Sequence, residues 1–178
     1  DWSSDVCSSD LILIHNKKYD IHRFIGKTTY FLVPLLILYM LLIARENYHS
    51  GILVSAHEEV IAKQSNTWMQ IFLFIAFYTL AIIFRKQPLL HARFIIGTAI
   101  VMIGPPLGRI ILTCLNETSV PYFVIIPLVF KTMVAALLLI IDIKNKRNWM
   151  PYTIILIAFI LADIVYLARN SDFWQAFG

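Results

Sequence analysis

Three ionisable residues stand inside long apolar runs: Arg109 within residues 94–115, Lys131 within 120–141 and Asp163 within 149–168. A charge at such a depth is costly and usually faces a partner or a cavity, so these residues are the first candidates for chemistry. At 1.5 Å of rise per residue, Arg109 lies about 9 Å from the outer end of its run and Asp163 at a similar depth, with Lys131 nearer the middle. This spacing predicts that Asp163 pairs with Arg109, with Lys131 as a deeper second partner. The cluster is then either an ion pair locking three helices or a polar site for transport or sensing.

His22 and His91 form a second set, each in the first turn of an expected helix beside Arg23 or Arg93. Two imidazoles from neighbouring helices could hold a haem iron or another metal. The competing reading places both among lipid phosphates. From His91 onward, Thr98, Met102, Pro105 and Arg109 follow at intervals of 7, 4, 3 and 4, one face of a helix. Pro105 and Pro106 lack amide hydrogens and are expected to kink that helix, freeing carbonyls near Val101 and Met102 for water, a hydroxyl or a cation.

Other signatures are weak or missing. His49, His57, Glu58 and Glu59 could bind a divalent ion, but they lack the HExxH spacing of a zinc protease. The sequence contains no phosphate-binding glycine loop, GxSxG elbow, CxxC pair or CxxCH haem-attachment motif, so nothing in it is evidently enzymatic. Cys114 reads as a small buried apolar residue.

The elements that must position these residues follow from composition. The 178-residue chain is 59% hydrophobic and 15% charged, against about 25% charged in soluble domains. Its mean hydropathy is +0.73. Five apolar runs, about 24–44, 68–84, 94–115, 120–141 and 149–168, match the roughly 20 residues that cross a bilayer as helix. They are continuous instead of alternating, which excludes a barrel. The expected fold is an all-α polytopic transmembrane bundle, with a short interfacial helix in the loop over residues 45–67.

Residues 1–10, DWSSDVCSSD, resemble a translated sequencing-adapter scar and are set apart from a single transmembrane domain over 11–178. Without Asp1, Asp5 and Asp10 the net charge rises from +4 to +7, and without Cys7 only Cys114 is left. The short run Leu11 to Ile14 then reads as the tail of a helix that begins upstream.

Basic residues cluster before the first run, at 85–93 and at 144–147, while Glu46, Glu58, Glu59 and Glu117 occupy the alternate connections. The positive-inside rule makes the basic segments cytoplasmic and places the C-terminus outside a bacterial inner membrane. Two basic segments also resemble each other, KKYDIHRFIG (17–26) and KQPLLHARFIIG (86–97), as in a duplicated hairpin.

Residues 11–42, with His22, Arg23 and Gly26, and 85–109, with His91, Arg93, Gly97, Thr98, Pro105 and Arg109, resemble an uncharacterised family of bacterial multi-pass membrane proteins. The resemblance implies an upstream helix and no particular activity. A looser similarity to b-type haem membrane cytochromes rests on helix number and the two histidines. Those cytochromes hold haem between histidines deep in opposing helices, and no deep pair occurs here. The functional expectations are therefore transport or sensing through the charged cluster, a haem- or metal-binding redox role, or membrane assembly. The bilayer is the expected partner and nucleic acid is not.

Overall fold

A computed structural model describes residues 19–54, 57–115 and 120–168. Every element among them is a helix: α1 Tyr19–Val54, α2 His57–Ile83, α3 Pro88–Leu115, α4 Val120–Lys144 and α5 Met150–Leu167. Each contains a segment long and apolar enough to cross a membrane, from 18 residues in α5 to 28 in α1. Over the described residues the protein is all-α with five such helices, as the apolar runs predict.

Helix ends differ from the run ends where polar residues continue a helix. α1 extends to Val54 and α2 begins at His57, so residues 45–54 and 57–67 belong to two long helices instead of a separate interfacial one. Polarity stops a span at the membrane surface but does not stop a helix, and this stretch contains no proline. The ends next to short connections have local causes. Pro88 opens α3 and Pro151 lies in the first turn of α5, where a missing amide hydrogen costs nothing. α4 closes in a Schellman motif: Arg147 N–H donates to the Asp142 carbonyl and Lys146 N–H to that of Ile143.

The chain divides into two compact units, residues 1–43 and 44–178. The first is described from Tyr19 and is helical throughout; its large apolar side chains, such as Phe31, Leu35 and Tyr39, are exposed. In the second, the end of α1 packs on the start of α2. Gln64 Nε2 donates to the Ala44 carbonyl at 3.0 Å, and Gly51 admits Val60 to about 3.0 Å from where a Cβ would stand.

Helices α2 to α5 form a four-helix ring in chain order. α5 returns against α2, and α3 and α5 touch across the ring. Phe77, Phe94, Ile155 and Phe159 are its largest fully buried apolar side chains among the described residues. Phe77 meets Phe159 edge to face at 5.6 Å. Gly97 allows this closeness, because a Cβ there would lie 3.0 Å from Ile155 Cδ1 and 3.3 Å from Phe77.

Candidate functional site

The buried line of α3 runs through Arg93, Gly97, Val101, Gly104 and Gly108. The expected face differs from it. His91 and Met102 are half-buried and Thr98 is buried, but Pro105 and Arg109 are exposed. The glycine line is the closest-packing one, and it turns the two prolines and Arg109 outward. Thr98 Oγ1 donates back to the Ile95 carbonyl at 2.6 Å within its own helix.

Asp163 is therefore joined to Lys131 and not to Arg109. Lys131 Nζ lies 3.1 Å from Asp163 Oδ1, with side chains 6% and 23% exposed. Thr132 Oγ1 donates to Asp163 Oδ2 at 2.7 Å. Oδ1 itself has no aligned hydrogen-bond donor among the described residues, so the ammonium is close to it but off the bonding direction. The ammonium also lies 5.4 Å from the centre of the Phe159 ring, a second attraction for a cation.

A second buried ion pair sits at the end of the bundle where residues 84–87 and 145–149 connect the helices. Arg93 Nε donates to Asp142 Oδ2 at 2.7 Å and Nη2 to Oδ1 at 3.1 Å, a bidentate arrangement. The side chains are only 8% and 6% exposed. Arg93 Nη1 reaches the Leu89 carbonyl, and the guanidinium stands 5.7 Å from the Tyr152 ring centre. The sequence reading placed Arg93 among the basic helix-entry residues at the membrane surface and overlooked Asp142. The available signal was a lone acid, Asp142, ending an apolar run next to Lys144, Lys146 and Arg147.

His91 Nδ1 lies 2.7 Å from the Ala81 carbonyl, and since a carbonyl only accepts, Nδ1 carries the proton. The bond repairs a helix end. Arg85 N–H turns to the Ile82 carbonyl, leaving Ala81 without its intrahelical donor. The side chains of His22, His57, Glu58, Glu59 and Cys114 lie outside those described. His49 is exposed and packs edge to face with Tyr48. Among the described residues no three His, Cys, Asp or Glu side chains gather where a metal could bind.

Helix registers place several polar groups at one depth. Gly97 faces Phe77 and Ile155; seven residues further along α3, Gly104 faces Gln70, which is seven residues back along α2, with Nε2 3.6 Å from a Cβ position. Seven residues from Ile155 along α5 is Ala162, next to Asp163. Gln70, Lys131, Thr132 and Asp163 thus share a level with the carbonyls of Val101 and Met102, whose usual donors would be residues 105 and 106, both prolines. Sequence reasoning missed Gln70 because glutamine at the flank of an apolar run carries no charge to mark it.

These two layers differ in what they can do. Arg93 and Asp142 satisfy each other and are closed off. At the deeper level, one carboxylate oxygen has no aligned donor and two carbonyls have lost their usual i+4 donors to proline, and hard oxygen groups of this kind suit a proton, a small cation or water. No family model, curated protein or solved structure matches the chain.

Proposed function

We propose that this protein is an integral membrane protein that transports or senses a small ion through the polar layer around Lys131 and Asp163. The observation that carries the reading is Asp163, whose Oδ1 is buried beside Lys131 without an aligned donor while the side chain as a whole stays 23% exposed, a charge arrangement less satisfied than its neighbour at Arg93. A helix bundle that needed only cross-linking is better served by full pairing. Arg109, exposed near the opposite end of α3, acts at the membrane surface and not within the layer. The short basic connections at residues 84–87 and 145–149 face the cytoplasm of a bacterial cell, by the positive-inside rule.

The test is charge displacement. Reconstituted in liposomes on a solid-supported membrane, the protein should give a transient current after a step in protons, sodium, potassium or ammonium. Asp163→Asn and Lys131→Met should abolish it while circular dichroism remains helical. If every ion step is silent, and these substitutions change only stability, the pair is structural and the proposal fails.

One observation favours a second reading. His91, with Nδ1–H held by a carbonyl, keeps Nε2 as its coordinating nitrogen, the arrangement common to metal-bound imidazoles. A reduced-minus-oxidised spectrum with α and Soret bands that vanish in His91→Ala would support a haem role. A flat spectrum from folded protein would remove it.

A further inference from the structure

The end of the bundle that carries Arg93 and Asp142 has an unbalanced surface. Its single acid in the described stretches, Asp142, is 4% exposed and committed to Arg93. Around it, Lys86, Lys144 and Lys146 are exposed and have no acidic partner among the described residues. Arg85 and Arg147 add two further charges on the same two connections. Trp149 follows directly and is 55% exposed, as suits an indole at the headgroup level.

The backbone emphasises one of these cations. Lys146 has φ 52°, the left-handed position that closes the Schellman motif of α4. Glycine adopts this conformation without strain and is the usual residue there. A lysine at this point holds its charge at the tip of the turn at a conformational cost.

We infer that this end is a binding surface for anionic phospholipid headgroups, with Lys86, Lys144 and Lys146 as its principal contacts. Charge complementarity selects an anion, and connection length selects the lipid over a soluble polyanion. The spanning segments end at Ile83 and Lys144 and resume at Pro88 and Met150. Only residues 84–87 and 145–149 intervene, so these cations sit level with the phosphates and do not rise above them. Cations near an anionic surface act additively and are weakened by salt.

Native mass spectrometry of the detergent-purified chain, titrated with phosphatidylglycerol or phosphatidylcholine of matched acyl chains, tests the inference. Phosphatidylglycerol should be retained and phosphatidylcholine lost, with soluble glycerol phosphate a poor competitor. The triple variant Lys86→Gln, Lys144→Gln, Lys146→Gly should weaken retention on the order of a hundredfold. Lys146→Gly alone should weaken it about fivefold while unfolding at an equal or higher temperature, a combination that a purely structural lysine would not produce. Arg109→Gln, towards the far end of α3, should weaken retention far less than the triple variant. Equal retention of both lipids, an unaffected triple variant, or an equal loss in Arg109→Gln would each overturn the inference. So would tighter binding of an acidic peptide than of the lipid.

Discussion

The two buried ion pairs have the same chemical ingredients and opposite degrees of satisfaction. Arg93 meets Asp142 with two hydrogen bonds from a planar fork, and both side chains are closed off. Lys131 meets Asp163 as a point charge, off the bonding direction of Oδ1, with the carboxylate 23% exposed. The guanidinium is built for bidentate pairing, whereas an ammonium on a flexible stem can be exchanged for another cation or a proton. The contrast separates a clasp that holds α3 to α4 from a site on α4 and α5 that can change its occupant.

Unequal substitution effects would sharpen this contrast, and equal ones would break it. The largest is expected for Asp142→Asn, which strands a buried guanidinium and should lower stability by about 3–5 kcal/mol in a denaturant-unfolding titration. Asp163→Asn should cost less, about 1–3 kcal/mol, because Phe159 continues to attract Lys131 and the site is partly open. An Asp163→Asn loss as large as that of Asp142→Asn would make both pairs clasps.

A second contrast concerns the two glycines of the resembling segments. Gly97→Ala pushes a methyl group into Ile155 and Phe77 and should destabilise by about 1–3 kcal/mol, measured the same way. Gly26→Ala meets nothing within 4 Å among the described residues and should be neutral or stabilising by up to about 1 kcal/mol, from helix propensity. If both cost alike, the two segments would share a packing role that their surroundings do not indicate. A similarly small effect, of destabilising sign, is expected for Thr132→Val, which removes one hydrogen bond to Asp163 and should cost about 1 kcal/mol while altering any charge displacement.

Much of the architecture was legible in the residues. Continuous apolar runs must become helices in lipid, because only a helix satisfies its own backbone. Arg45 to Thr67 misled for a related reason: composition marks where a membrane ends, and α1 and α2 continue past that point. The site was legible in part. Lys131 and Asp163 stood out by charge alone, but Asp163's partner depended on which way α3 turned. Arg93 and Asp142 sit at the ends of their runs, where charges are ordinary, so nothing local marked them as buried.

The sequence by itself determined the helical class and the five membrane-length segments and singled out Lys131 and Asp163, because transfer free energy depends on residue type and run length. Tertiary structure alone decided the pairing of those charges, the alignment of Gln70 with the freed carbonyls of α3 and the use of His91 to close α2. The physical reason is that such contacts depend on helix rotation and register. In α3 these were set by close packing at Gly97 and by the buried line it shares with Gly104 and Gly108, which carry no charge to announce them.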